Sequence, residues 1–396
     1  MEDPKSFLRS KKLVINGGGS PLLPALPPEE SGIPRGAADD VAAVVHSGRT
    51  NYWGGGPRAK EFEAAMAQHL GRKFAFFHNS GSSALITALY AVGASEGTTV
   101  AIGSSGFVAA INAIYHNHAR PYFLPTDPAT LQTVARPVVA DDAPQFRAAL
   151  LTHFLGNVAP VQDIVDAVQA DFLIEDAGQA HGARLNGRLA GSIGDIGSLA
   201  GSHKKLVTCG QGGINVTDSP EALARMRTLG HHGKANRQWG EVPGFNFRGG
   251  EMEAVLGLHS LRELSERVAA RCETADAITA VLEADGLQVA RTIGPEAEPA
   301  WFDVAWIIPE EWRPMRDQLV TALKAENVPA ATYPSLIEMP WVQPWMEANG
   351  WWDDYHRQLE VQERNLWGRV IVLASQLSVE DGHASAEAIV RTIHGK

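Results

Sequence analysis

The chain has 396 residues, of which 44% are hydrophobic and 20% charged, and its formal net charge is −11. This composition is typical of a globular protein with a large core, favours two domains and excludes wholesale disorder. The negative charge argues against nonspecific nucleic-acid binding, and the sequence has no apolar run long enough to span a bilayer. With two cysteines and no apolar segment near the first residue, we expect a cytoplasmic protein without a disulfide framework.

The N-terminal region predicts an arm, two helices and a glycine-rich loop. Residues 1–35 are rich in Gly and Pro and favour an extended arm, after which a helix begins near Ala37. At 50–58, three glycines follow two aromatic residues, so this loop either lines a pocket or forms a packed turn. Apolar residues at helical spacing predict a helix over 60–70.

A strand, a Gly/Ser turn and a helix follow. The run Phe74–His78 predicts the strand, 79–83 the turn and 84–92 the helix. This arrangement brings backbone N–H groups and hydroxyls to a phosphate, although a serine that only caps the helix explains the same pattern. The candidate phosphate ligands are Gly81, Ser82 and Ser83.

Alternating elements continue beyond this unit and predict the fold class. A strand and turn over 100–107 end at Phe107, whose position suits either a ring that covers a planar cofactor or a core residue. Since strands and helices alternate, we expect an α/β fold with a mainly parallel central sheet and helices on both faces. The other predicted elements are helices at 108–115 and 161–168 and strands at 121–125, 149–153 and 172–175.

The last of these strands ends in two acidic residues. Glu175 and Asp176 close the apolar run and are followed by small residues. In open α/β sheets, ligands bind outside the carboxyl ends of the strands. A carboxylate at such a position pairs with a protonated ring nitrogen, as pyridoxal phosphate enzymes require.

Two adjacent lysines, Lys204 and Lys205, lie within a segment of small residues, and the nearest acid is Asp195. A lysine in a glycine-walled pocket with few charges loses solvation, which disfavours its ammonium form. A neutral amine of this kind attacks a carbonyl and forms a Schiff base. Taken alone, the segment is explained equally well by a lysine pair that faces solvent. Taken together with Asp176 and the Gly-Ser-Ser turn, the lysine segment indicates pyridoxal phosphate.

Polar loops alternate with helices after the lysines. A helix is expected over 220–229, and the loop at 231–236 contains a His-His pair. Because no cluster of Cys, His or Asp with ligand spacing accompanies this pair, we expect no metal site. A glycine-flanked loop at 244–250 then leads into a long helix predicted over 251–282.

The C-terminal part predicts a smaller α+β unit. A strand is expected at 302–308, and helices at 313–326 and 379–394. We therefore divide the chain into an N-terminal arm plus large domain, residues 1–262, and a small C-terminal domain, residues 263–396. The aromatic-rich region within the small domain contains Trp341, Trp345, Trp351 and Trp352.

Taken in this order, the segments resemble the DegT/StrS-type aminotransferases, a branch of the fold-type I pyridoxal phosphate enzymes. The resemblance extends from about Ile15 to the C-terminus. It implies a seven-stranded central sheet, a smaller C-terminal α+β domain, and transfer of amino groups to keto-sugars and keto-cyclitols in antibiotic and surface-glycan pathways. The matching motifs are Asn79-Ser-Gly-Ser-Ser-Ala-Leu85, Glu175-Asp-Ala-Gly-Gln179, Lys205 with Gly210-Gln-Gly-Gly213, and Asn246-Phe-Arg-Gly249.

The resemblance also implies roles for individual residues. Asp176 would pair with the pyridinium nitrogen, Gln179 would approach the ring hydroxyl, and Phe107 would stack on the ring. The spacing to the Gly-Gln-Gly-Gly motif identifies Lys205, rather than Lys204, as the lysine that binds the cofactor. In family dimers the asparagine that matches Asn246 reaches the phosphate of the neighbouring subunit, so a homodimer with shared active sites is expected.

Three positions depart from the family pattern. The family places a phosphate-binding Ser five residues before the lysine, where this chain has Ala200. Ser202, three residues before Lys205, is the candidate substitute. Gln211 replaces a family Glu, and Gly249 replaces a Met. The segments 14–18 and 53–56 look most like the subgroup that forms cyclitols and aminobenzoates.

From these features we expect a ping-pong aminotransferase that uses glutamate or glutamine as donor and a keto-sugar or keto-cyclitol as acceptor. Two alternatives are a pyridoxal-dependent eliminase or dehydratase on the same scaffold and a non-catalytic pyridoxal-binding regulator. In the family's sugar dehydratases a His replaces the lysine, so Lys205 argues against that branch. A regulator needs no proton shuttle, so the combination of Lys205, Asp176 and Gln179 argues against that role.

Overall fold

The structure is a computed structural model of the chain, and it describes residues 6–25, 32–53, 55–134, 144–234 and 238–396. Within these residues the strands are β1 Phe74–His78, β2 Thr99–Gly103, β3 Arg120–Leu124, β4 Phe146–Thr152, β5 Leu173–Asp176, β6 Arg184–Leu185, β7 Arg188–Leu189, β8 Ile196–Ala200, β9 Gly213–Thr217, β10 Gln288–Val289, β11 Ala297–Glu298, β12 Asp303–Ile307, β13 Ala330–Ala331 and β14 Val370–Ala374.

The α-helices are α1 Ser6–Arg9, α2 Ala38–His46, α3 Pro57–His69, α4 Gly81–Ala91, α5 Ala109–His116, α6 Val161–Val168, α7 Pro220–Gly230, α8 Glu251–Arg262, α9 Leu264–Ala284, α10 Arg316–Ala325, α11 Val342–Ala348, α12 Asp354–Trp367 and α13 Val379–Ile393. Short 3-10 helices lie at Val14–Asn16, Arg35–Ala37, Phe154–Gly156, Glu310–Met315 and Leu336–Glu338. Among the described residues, none of the helices has the length and apolar character needed to cross a bilayer.

A seven-stranded sheet organises the larger part of the chain. Its strand order is β1-β9-β8-β5-β4-β2-β3, and the five strands from β8 to β3 pair in parallel. Strand β9 runs antiparallel to both of its neighbours. The predicted α/β class with a mainly parallel central sheet is therefore confirmed.

Helices cover both faces of this sheet. On β4, Leu151 packs in a cluster with α3, α6 and α8, whereas the next residue along the strand, Leu150, packs in a second cluster with α4, α5 and α7. Successive side chains of a strand point to opposite faces, so each face has its own core. Burial on both faces explains why these strands read as continuous apolar runs rather than as alternating ones.

A second, four-stranded antiparallel sheet, β10-β12-β14-β13, lies in the C-terminal part of the chain. Residues of α9, α10 and α13 form a core against it. A third sheet, β11-β6-β7, has three short strands. The division of the chain after residue 262 stays a prediction.

Several expectations about the elements were wrong in detail. The helix predicted over 251–282 is two helices, α8 and α9, separated at Glu263, whose backbone angles (φ −93°, ψ 0°) depart from helical values. The tryptophan-rich region contains α11, and α12 follows directly after it; neither helix was predicted from the sequence. In the loop expected at 231–236, residues 235 and 236 lie outside the described residues.

The N-terminal arm is not simply extended. Besides α1 and a 3-10 turn, it places Phe7 and Leu13 in the core of the C-terminal sheet, where both are fully buried. The buried carboxylate of Glu326 accepts hydrogen bonds from the backbone N–H groups of Val14 (2.7 Å) and Leu22 (2.9 Å). This carboxylate holds the arm at Val14 and at Leu22 against the end of α10.

We expect Glu326→Ala to lower the free energy of unfolding by about 2 kcal/mol, because it leaves the N–H groups of Val14 and Leu22 without an acceptor. Urea denaturation followed by tryptophan fluorescence measures this loss. Glu326→Gln is the matched control, since its carboxamide oxygen still accepts one of the two bonds, and its loss should be smaller. Equal stability of all three proteins would show that the arm contributes nothing through this residue.

Candidate active site

A cavity of ≈ 1090 Å³ lies where the carboxyl ends of β4, β5 and β8 meet residues of the C-terminal sheet. This is the edge at which open α/β sheets bind ligands. The cavity walls include most of the residues that the sequence singled out, namely Gly81, Ser82, Phe107, Asp176, Gln179, Ser202 and Lys205. Ala200 and Gln211, the positions of two family departures, also line it.

Asp176 is held at the base of the cavity by the sheet register. Its backbone pairs with Thr152 on β4 and with Ser198 on β8. The side chain is buried, and Oδ1 accepts a hydrogen bond from the N–H of Gly178 at 3.1 Å. Burial raises the pKa of Asp176, while the backbone bond and the charge of Lys205 act in the opposite direction. The carboxylate therefore needs a cationic or proton-bearing partner in the cavity.

Lys205 projects into the same cavity, and its Nζ lies 4.3 Å from the centre of the Phe302 ring. Loss of solvation lowers the pKa of Lys205 to about 8, and the charges of Asp176 and Asp303 limit the shift. Such an amine is neutral in a substantial fraction of molecules near neutral pH and is suited to nucleophilic attack on a carbonyl. The predicted loss of solvation is thus present.

Lys204 also lines the cavity, but its backbone has an unusual conformation and a hydrogen bond to Arg271. Its φ is 74°, in the left-handed region, and its carbonyl accepts a hydrogen bond from Arg271 Nη2 at 2.8 Å. The turn that contains both lysines is closed by a hydrogen bond from the N–H of Lys205 to the carbonyl of Ser202 at 3.2 Å.

The amino terminus of α4 forms another wall. Ser80 caps the helix, because its Oγ accepts a hydrogen bond from the N–H of Ser83 at 3.1 Å. A Cβ on Gly81 would lie only 2.7 Å from the Cβ of Ala200, so the close approach of α4 to β8 requires glycine here. Helix amino termini attract anions, and this one borders the cavity with Ser80, Gly81 and Ser82.

Ser83 and Asn246 do not line the cavity of their own chain. Ser83 is buried, and its hydroxyl donates to Asn79 Oδ1 at 2.7 Å and to the Ser80 carbonyl at 2.9 Å. It therefore braces the turn, as the helix-capping interpretation anticipated for this segment. Asn246 is exposed, and its Oδ1 accepts a hydrogen bond from Arg248 Nε at 2.9 Å.

Two residues frame the middle of the cavity. Gln179 is fixed because its Oε1 accepts a hydrogen bond from the N–H of Leu155 at 2.7 Å, which leaves the amide nitrogen as a donor. Phe107 is 53% exposed in the isolated chain, so a face of its ring is available for stacking. The core-residue interpretation of Phe107 does not hold.

The loop at 50–58 packs elsewhere. Its described residues do not line this cavity; Glu251 accepts hydrogen bonds from the N–H groups of Arg58 (3.1 Å) and Ala59 (3.0 Å) and ties the end of the loop to α8. Trp53 lies against Trp239, with ring centroids 5.2 Å apart. The described part of the loop therefore does not line the active-site cavity of its own chain, but Trp53 is 66% exposed and borders a second, smaller pocket with His232 and Trp239.

Sequence reasoning missed the cavity residues that come from the C-terminal part. Phe302, Asp303 and Tyr333 line the wall next to Lys205, and Arg267 and Arg271 of α9 line it as well. One signal was present in the sequence, since Asp303 is an acid placed within the apolar run predicted as a strand. The contact with Lys205 spans about a hundred positions of the chain and has no local signature.

These residues fit pyridoxal phosphate. A buried acid suits the ring nitrogen, an amine with a lowered pKa suits the aldehyde, an exposed aromatic face suits the ring, and a helix amino terminus suits the phosphate. Residues 34–350 match the DegT/DnrJ/EryC1/StrS aminotransferase family, and the chain belongs to that family. It is a pyridoxal phosphate-dependent aminotransferase.

Among relatives, a dTDP-4-dehydro-2,3,6-trideoxy-D-glucose 4-aminotransferase of Saccharopolyspora spinosa is 30% identical over 76% of this chain and 83% of its own length. An L-glutamine:2-deoxy-scyllo-inosose aminotransferase of Streptoalloteichus tenebrarius is 30% identical over 70% of each chain. A GDP-perosamine synthase of Caulobacter vibrioides is 33% identical over 53% of this chain, and the match spans only 58% of that relative.

Solved structures show the same fold. A 3-amino-5-hydroxybenzoic acid synthase superposes with a TM-score of 0.80 at 23% identity, covering 95% of this chain and 99% of that one. An Escherichia coli GDP-4-keto-6-deoxy-D-mannose-3-dehydratase superposes with a TM-score of 0.77 at 20% identity, covering 94% and 99%. The expected fold-type I architecture is therefore confirmed.

Proposed function

We propose that this enzyme transfers an amino group from glutamate or glutamine to a keto-sugar or a keto-cyclitol in natural-product or glycan biosynthesis. The observation that carries the proposal is the presence of Lys205, Asp176 and the amino terminus of α4 around one cavity. The relatives named for a dTDP-sugar 4-aminotransferase and for an inosose aminotransferase support the choice of acceptor.

When bound, pyridoxal phosphate supplies an aldehyde that takes up an amino group and a ring that accepts electrons. Asp176 would hold a proton at the ring nitrogen, and the amide nitrogen of Gln179 would donate to the ring hydroxyl. Phe107 would cover one face of the ring. The phosphate would be held by Gly81 and Ser82, with Ser202 in place of the hydroxyl that Ala200 lacks.

Lys205 has two tasks in this proposal. Its Nζ would hold the cofactor, and the same amine, once free, would remove and return the proton at the carbon that carries the amino group. The pKa of about 8 suits both tasks, because general acid–base catalysis is most efficient when the pKa lies near the working pH.

The test follows the absorbance of the enzyme-bound cofactor after glutamate or glutamine is added. Transamination requires a change in this absorbance together with formation of the matching 2-oxo acid. An eliminase would instead release ammonia without passing the amino group to an acceptor, and a regulator would show no change with either donor. A panel of keto-sugars and keto-cyclitols, added to the amino-loaded enzyme, then identifies the acceptor.

We also propose a homodimer in which Asn246 completes the partner's active site. Asn246 is exposed on the loop ahead of α8 and away from its own chain's cavity. Arg248 holds this loop, because its Nη1 donates to the carbonyls of Tyr52 (3.0 Å) and Trp53 (3.1 Å) rather than to an acid. A polar residue such as Asn246, held in place outside the active site of its own subunit, is suited to a two-fold interface, where the same surface of each subunit contributes to the site of the other.

A mixing experiment tests the shared site. Lys205→Ala and Asn246→Asp proteins, each expected to be inactive, are unfolded together in equal amounts and refolded. If sites are shared, each mixed dimer has one site with both lesions and one with neither, so about a quarter of the wild-type activity should return. The Asn246→Asp change leaves Arg248 and its contacts with the 50–58 loop in place.

Differently tagged subunits show whether mixed dimers form, and Lys205→Ala refolded alone is the control for residual activity. Mixed dimers that form and stay inactive contradict the shared site. An active Asn246→Asp homodimer contradicts the role of Asn246 itself.

A further inference from the structure

A second buried carboxylate, Asp303, lies in the active-site cavity, and apart from the effect of its charge on the pKa of Lys205 it has no role in the chemistry described above. Asp303 is the first residue of β12 and is 6% exposed. Its Oδ2 accepts a hydrogen bond from the hydroxyl of Tyr333 at 2.9 Å. Within the described residues its Oδ1 has no hydrogen-bond or ion-pair partner, and this oxygen is not sealed from the cavity. Asp303 thus offers one committed and one available oxygen.

Tyr333 fixes the carboxylate. Its ring packs edge-on against Phe154, with centroids 5.3 Å apart, in a cluster that includes Trp367 and Val370. Burial and the neighbouring Asp303 raise the pKa of Tyr333, so the hydroxyl keeps its proton and remains a donor. The available oxygen of Asp303 is therefore held in one place before any ligand binds, which reduces the cost of binding.

The position of Asp303 separates it from the cofactor-binding elements. Asp303 follows Phe302, whose ring centre lies 4.3 Å from Nζ of Lys205, and Asp303 begins β12 of the C-terminal sheet. The proposed cofactor contacts come from α4, β5 and the turns after β2, β5 and β8. Asp303 therefore borders the cavity from the C-terminal sheet, whereas the proposed cofactor contacts come from the part of the chain around the central sheet.

The charge of Asp303 indicates which substrate it contacts. A buried carboxylate accepts hydrogen bonds and repels other carboxylates, so it disfavours the acidic groups of an amino-acid donor. Two cations of α9, Arg267 and Arg271, also line the cavity wall and suit those acidic groups. An uncharged ring rich in hydroxyls supplies the donor that the available oxygen of Asp303 lacks.

We propose that Asp303, positioned by Tyr333, determines specificity for the amino-group acceptor by accepting a hydrogen bond from a hydroxyl of a polyhydroxylated cyclic ketone. This inference rests on the proposed function and adds to it a residue that recognises the acceptor. Asp176 and Lys205 act on the cofactor and the migrating proton, whereas Asp303 acts on a hydroxyl beside the reacting carbonyl.

The test uses the holoenzyme with scyllo-inosose and a panel of dTDP- and GDP-linked 4-keto-sugars as hydroxylated acceptors, and with cyclohexanone and 2-oxoglutarate as acceptors without hydroxyls. With the hydroxylated ketone that wild type uses best, Asp303→Asn should raise the acceptor KM about tenfold or more, since a hydrogen bond to a charged group is lost. The rate of the donor half-reaction, followed by cofactor absorbance, should change by a smaller factor than the acceptor KM, because Asp303 acts on that half-reaction only through the pKa of Lys205.

Two further variants make the result specific. Tyr333→Phe keeps the ring against Phe154 and removes only the hydroxyl, so it should raise the acceptor KM in the same direction by a smaller factor. Asp317→Asn is the matched control, because Asp317 is an exposed acid that does not line the cavity, hydrogen-bonded to Arg316, and its loss should leave the KM unchanged. If Asp303→Asn fails to fold, Tyr333→Phe alone decides.

The pH dependence gives a readout that a structural role would not move. Burial raises the pKa of Asp303 to about 7, against the opposing effects of the Tyr333 hydroxyl and the charges of Arg271, Lys205 and Lys204. A proton occupies the carboxyl group below that pH and removes the charge that accepts the hydroxyl. The acceptor KM of wild type should therefore rise as the pH falls below about 7, and this rise should be absent in Asp303→Asn.

Binding of scyllo-inositol, which has the hydroxyls but no carbonyl, is measured by calorimetry on wild type and Asp303→Asn, and the dissociation constant should rise about tenfold. An unchanged KM and dissociation constant in Asp303→Asn overturn the inference, as does an equal slowing of the donor half-reaction. So does a wild-type enzyme that completes the donor half-reaction but uses only the acceptors without hydroxyls. Absence of any donor half-reaction in wild type contradicts the proposed function first and this inference with it.

Discussion

Lys205→Ala should abolish transamination, with a loss of at least about 10³-fold, whereas Lys204→Ala should retain substantial activity. Both lysines line the cavity, but they differ in what surrounds them. Lys205 has a pKa lowered to about 8 by lost solvation and acts within the field of Asp176, while no comparable function is expected for Lys204. An alanine at position 205 leaves no amine to attach the cofactor or to move the proton.

Borohydride reduction of the holoenzyme followed by peptide mapping measures which lysine is attached. The label is expected on Lys205 in wild type and in Lys204→Ala. Circular dichroism of both variants controls for folding, and the Lys204→Ala protein controls for the loss of a positive charge from the cavity. A label on Lys204 would contradict the assignment of Lys205 as the lysine that binds the cofactor.

The local pattern of the sequence was enough to predict the frame of the site. A strand that ends in Asp176, a Gly/Ser turn before α4 and a lysine in a small-residue segment each carry their chemistry within a few residues. Parallel strands end at one edge of a sheet, so these three features meet without any long-range information. The structure places all three around the same cavity.

The parts that sequence did not predict depend on distant contacts. Asp303 and Tyr333 reach the cavity because the C-terminal sheet packs beside the central one, and no periodicity encodes that packing. The same holds for Phe7, which is an unremarkable apolar residue in sequence and becomes part of a core that includes Trp312. Packing partners of this kind are selected by tertiary structure rather than by local propensity.

Ser83 shows a different limit of prediction from sequence, because one residue type suits two roles. Its residue type and position match a phosphate ligand and a helix-capping group equally well. The hydrogen bonds to Asn79 and to the Ser80 carbonyl commit its hydroxyl to the turn, and Gly81 and Ser82 are the residues of the predicted trio that face the cavity. We therefore propose phosphate contact for Gly81 and Ser82 and a bracing role for Ser83.

The second large effect is expected for Asp176→Asn, which should slow turnover by about 10²–10³-fold while the protein still folds and binds the cofactor. The fold should survive because Asn keeps an oxygen that accepts the hydrogen bond from the N–H of Gly178, and because the register with Thr152 and Ser198 depends on backbone pairing. Turnover should not survive, because a neutral amide has no charge with which to hold a proton on the ring nitrogen.

Both half-reactions should slow together in Asp176→Asn, since the ring must accept electrons when the donor is deaminated and again when the acceptor is aminated. Rapid-mixing absorbance measures each half-reaction, and the thermal midpoint and the cofactor dissociation constant show whether the protein is intact. Thr152→Val is the control, because its hydroxyl makes only a long contact of 3.5 Å with Oδ2 of Asp176, and its effect should be small. Near-normal turnover in a folded Asp176→Asn protein would show that Asp176 is a structural residue and that another group keeps the ring nitrogen protonated.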